Sequence, residues 1–272
     1  MAEIARVTRW LVETSLWPFD RLPGAIGLTA FAVVTGLLIL AVVARTTPRR
    51  RLTLARDRMS AAIYEIRLYL DSPRRIFSAQ RRLLAWSGLY LLYLSPAFLV
   101  MLPFLALFYA PLEIRHGLAA VPPGDGTLVR IQLSRAPRGS GEVRVEGGWA
   151  VRLSAPPVLV ADEGVLYLRL SIAAAGVHPL RITGDGWQVD KRVVAEAKAN
   201  PISAERRAGV GALWAMGNEP PLPAGGPVTA VTVVHPPSSR RFAGLSIPWW
   251  LYWLLVATAV AFALRKRFGV AL

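Results

Sequence analysis

The chain has no cysteine among its 272 residues, so disulfide bridges, cysteine-ligated metal sites and thiol nucleophiles are excluded. Lysine occurs only three times, and almost all of the positive charge is carried by arginine. The only histidines, His116, His178 and His235, are too far apart in the sequence to suggest a metal-ligand spacing. Because no pattern carries catalytic chemistry, we predict a protein that is not an enzyme and holds no cofactor.

Acidic residues are also scarce, with 17 Asp and Glu against 32 Lys and Arg, which gives a net charge of +15. Hydrophobic residues nevertheless make up 54% of the chain, and the mean hydropathy is +0.41. Soluble proteins rarely combine these features, because apolar surface that is not buried leads to aggregation. A membrane protein with basic loops combines them readily.

Three stretches lack charge and predict membrane spans: residues 24–44, 83–112 and 247–264. The first has 21 residues, enough to cross a hydrocarbon core of ~30 Å as a helix. The second is longer and contains Pro96 and Pro103, where we expect a tilt or kink. The third opens with an aromatic cluster typical of a membrane interface. Its predicted interface anchors are Trp249, Trp250 and Trp253.

The distribution of arginine predicts the orientation of these spans. Segment 45–82 contains eleven arginines, and the tail 265–272 is also basic, so both are expected in the cytoplasm. Segments 1–23 and 113–246 are then extracytoplasmic. This predicts a multi-pass protein of a bacterial-type inner (plasma) membrane, with its N-terminus outside and its C-terminus inside. Although "VVA" before Arg45 resembles a cleavage site, the arginines that follow oppose the alternative of a cleaved signal peptide.

The N-terminal segment 1–23 predicts an amphipathic helix over residues 3–17. Ile4, Val7, Trp10 and Leu11 share one side of it, and a helix of this kind next to a span is expected to lie in the outer membrane interface. Pro18 and Pro23 predict a break before the first span.

Segment 45–82 predicts a basic antiparallel helical hairpin. Apolar residues recur at spacings of three and four, and Asp71-Ser72-Pro73 indicates the end of one helix and the start of the next. The predicted apolar seam consists of Leu52, Ala55, Met59, Ile63, Ile66, Leu70, Ile76 and Leu83, with Gln80 alongside.

The arginines of the hairpin allow two interpretations. They could contact anionic lipid headgroups, each contributing about 1 kcal/mol near the surface. They could also bind ribosomal RNA, where phosphate neutralisation gives affinity without sequence preference. The predicted contact residues are Arg49, Arg50, Arg51, Arg74, Arg75, Arg81 and Arg82.

Segment 113–246 changes to a period of two, as in "TLVRIQLS" and "GVLYLRLSIA". Alternating short strands separated by glycine-containing turns predict an extracytoplasmic all-β domain, specifically an immunoglobulin-like sandwich.

The order of these elements resembles the YidC/Oxa/Alb insertase superfamily, and most of all its three-span branch. The resemblance is carried by "LPGAIGLTAFAVVTGLLIL", "RDRMSAAIYEIRLYLDSPRRIFSAQRRLL" and "YLSPAFLVMLPFLALF", and covers about 1–112 and 247–264. It implies a groove, open to cytoplasm and lipid, through which polar segments enter the bilayer. The candidate groove-lining residues are Thr29, Thr35, Ser87, Tyr90, Tyr93 and Ser95. The large domain at 113–246 has no counterpart in the resemblance.

The resemblance implies an insertase-like protein that assists insertion or assembly of other membrane proteins. The alternative is a non-catalytic structural or accessory subunit of a larger complex, with its β-domain on the outer face. The expected partners are an anionic bilayer, client or partner membrane proteins within a hetero-complex, and the ribosome, with no sequence-specific nucleic acid.

Overall fold

The structure, a computed structural model, describes residues 2–134, 143–184, 186–195, 202–238, 241, 244 and 246–269. Met1, the end of the predicted tail (270–272) and the remaining positions of the predicted β-domain lie outside these ranges. The described residues form five α-helices: α1 (Ala2–Asp20), α2 (Gly24–Thr46), α3 (Arg49–Leu68), α4 (Pro73–Leu112) and α5 (Trp249–Leu264). A π-helical turn, Glu113–Gly117, continues α4.

Two of these helices are long and apolar enough to cross a membrane by length and composition: α2, and α4 together with its π-helical turn. They contain the first two predicted spans, and the second helix begins ten residues before its span. The third predicted span forms α5, which has 16 residues. At 1.5 Å per residue α5 is about 24 Å long, shorter than a hydrocarbon core of ~30 Å.

Helix α4 is continuous for 40 residues, through both Pro96 and Pro103. A proline lacks the N–H that would bond the carbonyl four residues earlier. At Pro96 this deficit is met locally, because the Ser95 hydroxyl donates to the Leu92 carbonyl at 2.7 Å. The second helix of the basic hairpin therefore runs directly into the candidate span.

The chain divides into two compact units. The helical unit comprises residues 25–105 and 250–272, and the β unit comprises residues 1–24 and 106–249. The N-terminal helix thus belongs to the β unit, which the sequence did not predict.

The β unit contains two antiparallel sheets that share one core. Its strands are β1 (Gly126–Leu133), β2 (Arg144–Glu146), β3 (Val151–Leu153), β4 (Val158–Val160), β5 (Val165–Ile172), β6 (Val177–Gly184), β7 (Trp187–Val194), β8 (Glu205–Arg207) and β9 (Val228–Val233). One sheet has the order β3-β5-β1-β9-β8, with β4 also paired to β5, and the other has the order β2-β6-β7. Val129 and Leu168 of the first sheet share a cluster with Ile182 and Val193 of the second. The predicted β-sandwich is thereby confirmed at the level of two antiparallel sheets.

Helix α1 has apolar side chains on two opposite faces. Val7, Trp10 and Leu11 are exposed, as expected of a face turned towards a membrane interface, whereas the side chain of Ile4 lies outside the described residues. Val12 and Leu16, on the other side, are buried. The helix packs against the short turn Gly209–Leu213 of the β unit. This second face explains why α1 belongs to that unit.

A break before the first span is present as predicted, but it does not fall at Pro18. Helix α1 includes Pro18 and ends at Asp20, and the separation from α2 falls at Arg21–Pro23. Asp20 is held by Arg115 of the π-helical turn, whose Nε donates to the carboxylate at 2.9 Å. This ion pair gives the end of α1 a partner beyond the proline.

Candidate functional site

The two predicted groove residues of α2 face helix α5. The Thr29 hydroxyl lies 2.8 Å from the Tyr252 hydroxyl. Thr35 is 1% exposed, and its hydroxyl accepts a hydrogen bond from Trp253 Nε1 at 3.3 Å. Each threonine also donates to the carbonyl four residues earlier in α2. Both hydroxyls therefore have protein partners in the α2–α5 contact.

The predicted groove residues of α4 have a different environment. Ser87, Tyr90, Tyr93 and Ser95 are all half-buried. Ser95 is bonded within its own helix, but no hydrogen bond in the described part of the chain involves the side chains of Ser87, Tyr90 or Tyr93. We call these three residues the hydroxyl stripe of α4.

The hydroxyl stripe shares one side of α4 with two buried alanines, one before the stripe and one after it. Ala79 precedes Tyr90 by eleven residues and Ala97 follows it by seven, which are about three and two helical turns, so these positions share a face. Both alanines are buried, and Ala97 packs with Leu40 of α2 and Ala261 of α5. The three residues of the stripe thus lie on the side of α4 that packs against α2 and α5, and each is half-buried.

The three predicted interface anchors differ in burial. Trp250 is 46% exposed, as expected for a side chain at a membrane surface. Trp249 is buried in the β unit, where its Nε1 donates to the Glu113 carboxylate at 2.7 Å. Trp253 is buried in the helical unit against Thr35. Two of the three tryptophans therefore pack inside the protein.

The seven predicted contact arginines of the hairpin are all exposed. Three of them have partners within the helical unit: Arg82 pairs with Glu65, Arg75 lies over the Tyr69 ring at 4.5 Å, and Arg49 donates to the carbonyl of residue 268 at 3.0 Å. Among the described residues, no side-chain hydrogen bond or ion pair involves the other four, which are Arg50, Arg51, Arg74 and Arg81. Their guanidinium groups are available to an anionic surface.

The predicted apolar seam of the hairpin is partly wrong. Leu52 and Ala55 are buried as expected of a seam, but Ile63 and Leu70 are exposed. On the second helix the buried residue is Ala79, which was not predicted, and its neighbour Gln80 is exposed. Helix α3 ends at Leu68, so Leu70 lies in the turn and cannot follow the helical period. The small Ala62 takes the buried position next to Ile63.

The end of the hairpin consequently exposes a set of apolar side chains. We call this set the hairpin tip: Tyr64, Leu68, Leu70 and Phe77. Phe77 is 73% exposed. Since Arg74 and Arg75 lie in the same segment, the tip is both basic and apolar, a combination that suits the boundary between headgroups and acyl chains.

A buried ionic cluster in the β unit was missed by sequence reasoning. Lys191 is 1% exposed; its ammonium pairs with the Glu219 carboxylate and donates to the Ser203 carbonyl at 2.6 Å. Glu219 also accepts the Ser203 hydroxyl at 2.5 Å and the Arg192 backbone N–H at 2.8 Å. We call Lys191, Ser203 and Glu219 the buried clasp. A period-two pattern in β7 places Lys191 on the inward face with Val189 and Val193, and this signal could have identified it.

The charges of the clasp are set by burial and by its own contacts. Burial lowers the pKa of the Lys191 ammonium, against the attraction of Glu219. Burial alone would raise the pKa of Glu219, but the Lys191 charge and the hydrogen bonds from Ser203 and the Arg192 backbone hold it below its usual value. Ser203 is 2% exposed, so its hydroxyl has no access to a substrate.

The clasp closes the open edge of the smaller sheet, where β7 has no neighbouring strand. Three outward backbone groups of β7 are bonded by other means. Glu219 accepts the Arg192 N–H, Arg206 donates to the Asp190 carbonyl at 2.5 Å, and the backbone of Val121 donates to the Val194 carbonyl at 3.1 Å. An open edge would be a template for pairing with another chain, so these three contacts protect the sheet.

The three histidines lie in the β unit. His116 and His235 are buried, and His178 is half-buried with its ring near the Ala174 carbonyl at 2.9 Å. Burial lowers the pKa of His235 to about 4. Across the described ranges, no group of three or more His, Asp or Glu side chains could hold a metal ion.

Comparisons of the chain with protein-family models, with curated proteins and with solved structures each find no match.

Proposed function

We propose that this chain is an insertase-like membrane protein that assists insertion or assembly of other membrane proteins, similar to the three-span branch of the YidC/Oxa/Alb superfamily. In this proposal α2, α4 and α5 cross a bacterial-type inner membrane. The β unit, an immunoglobulin-like sandwich, lies outside with the N-terminus. The basic hairpin and the C-terminus lie in the cytoplasm.

The observation that carries the proposal is the hydroxyl stripe of α4. Moving a hydroxyl from water into an apolar environment without a hydrogen-bond partner costs about 1–3 kcal/mol of free energy, by protein mutational data. Ser87, Tyr90 and Tyr93 have no partner among the described residues and lie on the inward side of a candidate span. Water or the polar groups of a client would satisfy them, and a wet path of this kind lowers the barrier for a polar segment entering the bilayer.

The groove in this proposal is lined by fewer polar side chains than the groove expected from the resemblance. The hydroxyls of Thr29 and Thr35 are bonded in the contact with α5, so the polar wall is formed by α4. The hairpin tip favours lipid over RNA as the cytoplasmic contact, because exposed leucine and phenylalanine gain from acyl chains and nothing from phosphate.

Photo-crosslinking from Tyr93 tests the proposal. A photoreactive residue at this position should form adducts with a nascent membrane protein during its translation. Leu92 provides the control, since it is 61% exposed, neighbours Tyr93 in the sequence and points to a different side of α4. We expect several-fold more adducts from Tyr93 than from Leu92. Equal yields from the two positions, or no nascent chain among the adducts, would contradict the proposal.

The packing of α2 on α5 favours the second candidate, a structural or accessory subunit of a larger complex. Thr29, Thr35 and Gly36 all contact α5, so this side of the bundle is closed. A structural subunit needs no wet path, and its hydroxyl stripe would be covered by a neighbouring subunit. Adducts from Tyr93 with one constant partner, in place of nascent chains, would identify that function.

A further inference from the structure

The outer face of the six-stranded sheet carries three arginines on three adjacent strands. Arg152 is on β3, Arg169 on β5 and Arg130 on β1. Arg169 pairs in register with Leu128, two residues from Arg130, and Arg152 pairs with Ser171, two residues from Arg169. Each arginine is therefore a diagonal neighbour of the next, a separation of about 7–8 Å. We call these residues the arginine row.

The arginine row has no acidic partner among the described residues. Its three side chains are exposed; Arg152 and Arg169 make no side-chain hydrogen bond, and Arg130 reaches only the Gln132 side chain at 3.4 Å. Like charges on neighbouring strands repel each other. An anion between them would convert this repulsion into charge-assisted hydrogen bonds, for which guanidinium groups are well shaped.

A mostly apolar depression of about 600 Å³ adjoins the row at Arg169. Its apolar wall is formed by Val121, Pro122, Leu128, Val234 and Pro236. Gly126 has no side chain to fill this space, and Arg169 Nε lies 3.7 Å from the position that a Cβ there would take. Asp125 also lines the depression and repels anions, so a negative group is favoured nearer to Arg130.

A second depression, of about 370 Å³, adjoins the row at Arg130 and is polar. Its lining includes Gln132, Thr229, Thr232, Glu205 and Arg207. The Arg130–Arg169 pair thus has apolar walls on one side and hydrogen-bonding side chains on the other. This order of surfaces matches a ligand with an apolar chain, a phosphate and a polar head.

We propose that the outer face of the six-stranded sheet binds an anionic phospholipid. Arg130 and Arg169 hold the phosphate, the depression beside Leu128 takes the acyl chain, and the polar depression takes the headgroup. The site lies within the β unit and requires no insertase activity, so it goes beyond the proposed function and can fail independently of it.

Native mass spectrometry of the full chain, released from detergent with dihexanoyl phosphatidylglycerol, tests the site. The double variant Arg130→Gln/Arg169→Gln should weaken binding of one lipid by about tenfold or more, because two charge-assisted contacts are lost. Arg181→Gln is the control, since Arg181 is also exposed but lies on the other sheet, where it pairs with Asp190. The control should bind as the wild type does. Equal binding by the double variant and the wild type would overturn the proposal.

Two further ligands separate a lipid site from a simple anion site. The wild type should bind the lipid more tightly than inorganic phosphate, and Leu128→Asn should weaken lipid binding while phosphate binding stays unchanged. If phosphate binds as tightly as the lipid and Leu128→Asn has no effect, the face is an anion site only and the proposal is wrong. Displacement of the bound lipid by an acidic peptide, at a lower concentration than free lipid needs for the same displacement, would also contradict the proposal.

Discussion

Replacing Glu219 with alanine is expected to lower the free energy of unfolding of the β unit by about 3–5 kcal/mol, the loss found when one partner of a buried ion pair is removed. The substitution leaves the Lys191 ammonium buried with only the Ser203 and Arg192 groups as partners. It also frees the Arg192 N–H at the edge of β7. Pulse proteolysis of the full chain in urea, with the fragments assigned to the β unit, measures the change.

Two control variants separate the loss of the buried ion pair from the loss of a carboxylate alone. Glu163→Ala removes an exposed carboxylate at a turn and should change stability by less than about 0.5 kcal/mol. Lys191→Met/Glu219→Leu removes both charges and should be more stable than Glu219→Ala, because no unpaired buried charge remains. If Glu219→Ala and Glu163→Ala have the same free energy of unfolding, the clasp does not stabilise the edge of the sheet at β7.

Gly36→Ala should separate α2 from α5. A Cβ at Gly36 would lie 2.6 Å from the Ala257 carbonyl oxygen and 3.1 Å from Val260 Cβ. A backbone oxygen cannot rotate away, so the helices must move apart, and overpacking of this kind lowers stability by about 1–3 kcal/mol. The same movement would break the Thr35–Trp253 hydrogen bond. Thermal unfolding in detergent, followed by tryptophan fluorescence, should show a lower midpoint.

Gly88→Ala is the matched control for Gly36→Ala. Gly88 is also a helical glycine, in α4, but a Cβ there meets no atom within 4 Å. Alanine favours the helix over glycine by about 1 kcal/mol, so this variant should be as stable as the wild type or more so. Equal midpoints for the two variants would show that the close approach at Gly36 does not hold α2 and α5 together.

The sequence predicted the elements whose signal is local and strong. Long uncharged runs mark α2 and α4, Asp71-Ser72-Pro73 marks the turn between α3 and α4, and period-two segments mark the two sheets. The extent of α1 was not predictable from its prolines, because the Arg115–Asp20 ion pair joins residues 95 positions apart. The apolar stripe of Val12 and Leu16 was visible in the sequence, but its partner surface was not.

The sequence predicted which side chains belong to the candidate site but not which contacts they make. The sequence identified six hydroxyl side chains in the first two predicted spans and passed over Tyr109. It could not tell Thr35, bonded to Trp253, from Tyr93, which has no partner among the described residues. That difference depends on how α5 packs on α2, a contact between distant parts of the chain. The arginine row likewise depends on strand register, which single strands do not specify.

Reconstitution tests the proposed insertase function most directly. The purified chain in liposomes would be supplied with a small single-span client that has a short polar tail, and protease protection of the tail would measure insertion. We expect more protected client than with empty liposomes, and a reduced yield with Tyr90→Phe/Tyr93→Phe, which removes two hydroxyls of the stripe. Insertion at the level of empty liposomes, by a chain shown to be folded, would contradict the proposal.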